Sequence, residues 1–275
     1  MLGNSSRSLQ RVKSREGRGH PFRDSPLYPT MLIVFLVAFW QFALPHIPFL
    51  PSRYIGSPLG IAHSFEKLAL HGYEGVPLID EILASVQRVL LGFFIGATLA
   101  TPIGLMMGYS KYVGRLLGPL FGFLRPVPAL AFIPVMLIWF GISNVGRIVL
   151  IAMTSFLYIV LATSAGVAAV PEAYLRAAQN YRLSSARTLL SIVLPASLPS
   201  ILIGFRTGMA LSWAVVVAAE LIAAQTGLGY MIKDAATFFR INYVYVGIIL
   251  IGIIGVLLDW VFTIIQRRLL HWISK

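Results

Sequence analysis

Ten carboxylates, five histidines and no cysteine are all that this 275-residue chain offers for acid–base or metal chemistry. The histidines (His20, His46, His63, His71 and His271) are scattered, and no H-E-x-x-H helix pattern or carboxylate–histidine cluster has metal-ligand spacing. Without cysteine there is no thiolate ligand, disulfide framework or thiol nucleophile. No Ser–His–Asp set can be assembled. No G-x-x-x-x-G-K-[ST] loop occurs, so the chain cannot cradle ATP in the usual way. Catalytic residues: none; metal: none; an enzymatic reading is rejected.

What the chain does carry is charge set among oil. Hydrophobic residues make up 57% and charged residues 12%, where a soluble domain has about 25% charged residues. The mean hydropathy is +0.81, and the class is a membrane protein. The net charge of +12 raises nucleic acid as a partner, but no basic face on a soluble module is visible. Lys and Arg in cytoplasmic loops account for it better.

Ionisable side chains inside apolar runs are costly and face a bundle interior or a wet cavity. Glu220, after AVVVAA, invites a gating or pathway role through a pair with Arg147 or Lys233, or a structural one at the interface. Arg206 can snorkel to the headgroups or meet solute; Arg88 is similar. Asp259 is placed to pair with Arg267 or Arg268. In FLRPVPALAF, Arg125, Pro126 and Pro128 make a stiff non-helical stretch that either lines the inner mouth of a pathway or merely turns the chain. Trp139 and Trp213 complete the set of pathway candidates: Arg125, Pro126, Pro128, Trp139, Arg206, Trp213 and Glu220. The tryptophans otherwise sit mostly near span ends, as aromatic belts do.

The elements that must position these groups are helices. About 20 apolar residues cross the hydrocarbon core. The sequence predicts an all-α, polytopic fold with six spans: a retained signal-anchor at PTMLIVFLVAFWQFAL, then about 87–107, 119–140, 147–169, 199–223 and 243–265. Residues 1–28, basic and rich in Ser and Gly, read as a disordered cytoplasmic tail, and 29–275 as the membrane domain. The loop at about 45–86 has room for an interfacial helix at SFEKLAL. Gly92, Gly96, Gly104 and Gly108 have the spacing of close helix approach, more simply within the chain than across a dimer. Fifteen basic residues, Arg125 among them, fall on the tail side against six on the other. Both termini are thus expected in the cytoplasm.

Between the fourth and fifth spans lies RAAQNYRLSSARTLLSIVLP, Arg176 to Pro195. Pro171 and Glu172 suit a helix start, Asn180 to Leu183 a turn, and Ser184 or Ser185 a cap. Pro195 and Pro199 punctuate the next span. On spacing alone this is either an amphipathic loop covering the bundle or a docking element.

The stretch resembles the "EAA" loop of inner-membrane permease subunits of binding-protein-dependent ABC importers. Ala177, Ala178, Ile192 and Leu194–Pro195 match that pattern; Arg176 stands where it has Glu, and Arg182 where it has Gly. From about residue 85 onward, FLRPVPALAFIPVMLIWFGIS, LPASLPSILIGFRTGMALSWAVVVAAELIAAQTGLGYMI and QRRL resemble the aliphatic-sulfonate, taurine and nitrate branch.

The resemblance implies a coupling loop at about 171–195, in which Arg176, Ala177, Ala178, Gln179, Asn180, Tyr181, Arg182, Leu183 and Ser184 meet a separate ATPase. It implies two ATP-binding subunits carrying ATP and Mg (this chain holding no cofactor), a second permease copy as a homodimer, a soluble solute-binding protein and the lipid bilayer, with no nucleic acid. The site is the bacterial inner membrane, and the cargo a small organic anion, a sulfonate or taurine first. Nitrate, bicarbonate and nitrogen heterocycles stay open as cargo. A secondary transporter or channel and a membrane scaffold stay open as classes. At Arg182 the family glycine suggests a left-handed residue, and Asn180 is expected to take that conformation instead. The Arg176 charge suggests an acid on the ATPase.

Overall fold

A computed structural model describes residues 27–42 and 55–271; the expected basic tail lies outside them, except for Leu27 and Tyr28. The chain divides into two units at Leu59 and Gly60. In the first, the described part of helix α1 (Leu27–Phe42) has 16 residues, about 24 Å of helix. Helix α2 (Pro58–His71), nearly all of it in the second unit, carries the SFEKLAL segment and buries Ile61, Ser64 and Leu68 along one face.

The second unit is a helical bundle. Helix α3 (Leu78–Tyr109) is followed by α4 (Lys111–Leu124), a 3₁₀ turn (Ala129–Phe132) and α5 (Ile133–Phe140). Then come α6 (Asn144–Ala168) and α7 (Glu172–Asn180). A continuous helix α8 (Ser185–Ala223) follows, and α9 (Leu228–Thr237) and α10 (Ile241–Leu269) close the chain. Four helices, α3, α6, α8 and α10, are long and apolar enough to cross a membrane, and α4–α5, bent by 84°, makes a fifth. The described residues thus supply four or five of the six expected spans.

The close contact in the bundle is α3 against α6. A Cβ on Gly92 would lie 2.6 Å from Ile151 Cβ, on Gly104 2.6 Å from Thr163 Cβ, and on Gly108 2.5 Å from Val167 Cβ; one on Gly96 would strike Ser155. Each glycine meets the residue the same number of positions further along, so the two helices run parallel. Ala100, midway along the glycine series, is fully buried, as is Ile159 at the same offset. The glycine spacing therefore serves packing within the chain.

Parallel neighbours cannot be joined by a short loop. The chain must cross back between Tyr109 and Asn144, and α4–α5 is that crossing. It breaks because Pro126 and Pro128 supply no backbone N–H and bar a regular helix.

Helix α8 runs against both. Gly204 meets Ala162 and Ile159, Gly208 meets Ile159, and Gly166 meets Ser200, so α8 is antiparallel to α6. Pro195 and Pro199 do not punctuate it. The backbone widens into a π turn at Leu189–Val193, where the Leu194 amide donates to the Leu189 carbonyl. This absorbs the donor missing at Pro195, so all 39 residues form one rod. Helix α10 packs antiparallel on α8: Trp213 Nε1 donates to the Ile251 carbonyl at 3.1 Å.

At the α3 N-terminal end, residues 73–76 form a tight turn with Glu74 and Gly75 both at positive φ. Tyr73 donates to Asp234 at 2.7 Å and Glu74 pairs with Arg240 at 3.0 Å, tying this turn to α9 and the start of α10. Burial, then the Asp234 hydrogen bond, pushes the Tyr73 phenol well above its usual range.

Gly104→Leu should lose about 1–3 kcal/mol, because a well-packed contact punishes inserted methylenes. Gly252→Ala, with open space around it, should be neutral or slightly stabilising. Thermal unfolding of the detergent-purified chain checks both; equal tolerance would contradict the seam.

Candidate functional site

Three groupings hold the sequence-predicted residues. The first is α7 and its turn. Pro171 precedes the helix and Glu172 lies in its first turn. Arg176, Ala177, Gln179, Asn180, Tyr181, Arg182 and Ser184 are exposed, Leu183 is half-buried and Ala178 is buried. Leu175 and Leu189 anchor the element on a core of Leu105, Val167, Val170, Val193 and Ile201.

The turn corrects one expectation. Arg182 itself takes the left-handed conformation, at φ 53°, and Asn180 stays helical. The amide of Leu183 donates to the Ala178 carbonyl and that of Arg182 to Gln179, the helix-ending pattern that favours glycine at the Arg182 position. Of the two possible caps it is Ser184 that accepts from the Arg187 amide, at 3.4 Å. Arg176 pairs with its own Glu172 at 2.7 Å, so an acid on a partner is not its sole available mate. Both are largely exposed, and the pair adds little stability.

The second grouping is a cavity of about 570 Å³ at the break between α4 and α5. Arg125, Pro126 and Pro128 line it with Met153, Thr154 and Tyr158 of α6 and Leu211, Ala214 and Val215 of α8. These α6 residues sit near the middle of their helix, so Arg125, itself exposed, stands at mid-height along α6. That corrects its placement among the loop charges: a helix of 14 residues, α4, has already carried the chain inward from Tyr109. The proline pair signalled broken backbone in the sequence, as a pathway lining or a rigid corner. The facing residues of α6 and α8 gave no such signal, being ordinary span residues. Trp139, Arg206, Trp213 and Glu220 do not line this cavity. Trp139 is exposed.

The third is a buried polar cluster at the opposite end of the rod from α7. Glu220 is fully buried. It pairs with Arg88 Nη1 at 2.5 Å, not with Arg147 or Lys233, and accepts from Ser85 Oγ at 2.8 Å and from the Gly229 amide at 3.1 Å. Arg88 also donates to Asn144 Oδ1 at 2.9 Å and Thr226 Oγ1 at 2.6 Å. The Leu228 amide donates to Ser85 Oγ at 2.9 Å and the Gly227 amide to Glu81. The 226–229 loop is thereby fastened to α3, and a Cβ on Gly227 would collide with the Glu220 carboxylate. Near the middle of α8, Arg206 forms a two-pronged pair with Asp259 at 2.5 and 2.6 Å, correcting the expected partners Arg267 and Arg268. Among the described residues no group of His, Asp or Glu is placed to hold a metal.

Two expectations follow for purified protein. Glu220→Ala should cost ~3–5 kcal/mol, because it strands the buried Arg88 charge, and Ser85→Ala ~1–3 kcal/mol. The double variant should lose less than the sum, since the partners are shared; additive small losses would contradict the cluster. Arg182→Gly should stabilise by about 1 kcal/mol, by removing the left-handed strain, with ATPase co-purification retained. A lower melting temperature would show that the Arg182 side chain holds the turn.

The chain matches the family described as "Binding-protein-dependent transport system inner membrane component" over residues 100–271. It is 36% identical to the taurine transport system permease protein TauC of Escherichia coli, over 88% of this chain and 87% of that one. It is 34% identical to the bicarbonate transport system permease protein CmpB of Synechococcus elongatus, over 70% of each. A solved structure of the inward-facing MetNI methionine ABC transporter shares the fold, with a TM-score of 0.63 at 14% identity over 70% of this chain and 95% of that chain. The chain belongs to this family: it is an inner-membrane permease component of a binding-protein-dependent ABC importer, whose ATP hydrolysis is done by a separate ATPase subunit and whose cargo comes from a substrate-binding protein.

Proposed function

We propose that this permease imports a small organic anion, a sulfonate or taurine first, as a homodimer with two ATPase subunits on the α7 face and a solute-binding protein on the other. Both termini then lie in the cytoplasm, as the loop charges favour. ATP and Mg bind on the partner, and residues 176–184 grip it. The observation that carries the coupling role is mechanical: an exposed short helix joins through one tight turn to a continuous 39-residue rod. A push on α7 therefore reaches the bundle without a flexible joint. For the cargo, TauC and CmpB are named for solutes that each carry an anionic oxygen head.

Co-expression with the ATPase and binding protein tests the reading. The ATPase should co-elute with this chain and be lost when residues 176–190 become a neutral linker. The purified binding protein should bind taurine or an alkanesulfonate in calorimetry. Uphill uptake by vesicles holding this chain alone, without nucleotide, would replace the reading with a secondary transporter.

A further inference from the structure

We infer that Arg125 is the counter-charge for the anion during its passage through the bundle, and that the α4–α5 cavity is its transient binding site. The inference rests on the cargo reading above and deepens it. Arg125 sits where the crossing helix breaks, against the middle of α6. A guanidinium at that depth is costly unless water or an opposite charge attends it. Arg88 has Glu220 and Arg206 has Asp259; Arg147, at the start of α6, donates to the Ser143 carbonyl. Arg125 has no side-chain hydrogen bond or ion pair among the described residues; its recorded bond is the helix-ending one from its own amide to the Phe121 carbonyl.

The cavity gives that charge an occupant of limited size. About 570 Å³ falls within the range of small-molecule sites. Its wall is otherwise apolar apart from Thr154 and Tyr158, and the Thr154 hydroxyl is committed to the Leu150 carbonyl at 2.9 Å. No carboxylate lines it. A cation would meet the Arg125 charge with no carboxylate to offset it, whereas a compact oxyanion with a short organic tail finds a fork of donors and an oily wall. Pro126 and Pro128 fix the backbone on which the guanidinium is mounted, so its position does not depend on a mobile loop.

The full complex, with ATPase and binding protein in proteoliposomes, tests this with whichever of taurine, ethanesulfonate, nitrate or bicarbonate the binding protein takes. Arg125→Gln should lower anion uptake at least tenfold, while the complex assembles and its ATPase still responds to loaded binding protein. Arg125→Lys should keep an intermediate rate. Undiminished uptake by Arg125→Gln, where the unaltered complex does import the anion, would overturn the site and leave the cargo reading standing. Loss of uptake together with loss of the ATPase response would mark Arg125 as structural and also overturn it. If the unaltered complex imports only neutral or cationic solutes, the cargo reading falls and takes this inference with it.

Discussion

The close, parallel approach of α3 and α6 is the constraint on which the remaining architecture depends. Gly92, Gly96, Ala100, Gly104 and Gly108 remove the side chains that would hold the two backbones apart. In a bilayer this matters more than in water, because lipid tails are as apolar as leucine and only good packing rewards helix association. Once α3 and α6 point the same way, the residues between them must traverse the bundle. That traverse is the helix with the prolines, and its break opens the cavity around Arg125.

The rod α8 links the two ends of this arrangement. At one end it begins beside the strained turn at Arg182; at the other it delivers Glu220 into the Arg88, Ser85 and Asn144 cluster. A π turn absorbs Pro195, so stiffness is kept where a kink would be expected. The buried ion pair is weak evidence for stability in itself, because desolvation offsets much of its attraction. Its place is more telling: it fastens the 226–229 loop over the ends of α3 and α6. Movement of the rod must keep or break that fastening as a unit. The outward surface of α10, with Val256, Leu257 and Trp260 exposed, is what a bilayer or a second copy would cover.

Much of this was legible in the residues, and the gaps have physical causes. The glycine spacing announced a packing seam, and the prolines of the third span announced broken backbone. SFEKLAL announced a short helix, and the segment 171–195 a helix–turn–helix. What could not be read was which charges meet. Glu220 was matched to Arg147 or Lys233, and its pairing with Arg88 instead follows from α3 and α8 lying side by side, which no local pattern encodes. Arg206 and Asp259 are partners for the same reason. Arg125 looked like a loop charge because hydropathy does not reveal that a 14-residue helix has already carried it inward. Asn180 is the better left-handed residue by propensity, but the hydrogen bonds that end α7 demand that conformation two positions later, at Arg182.

Because the natural chain contains no cysteine, depth can be measured with single introduced thiols. Val127→Cys, on the wall of the cavity, should react with a small water-soluble, membrane-impermeant thiol reagent in at least one nucleotide state of the assembled importer, and its rate should change as that state changes. Leu257→Cys, on the outward face of α10, should stay inert. A thiol at 127 that is unreactive in every nucleotide state would contradict the claim that the break in the crossing helix lines the path of the solute.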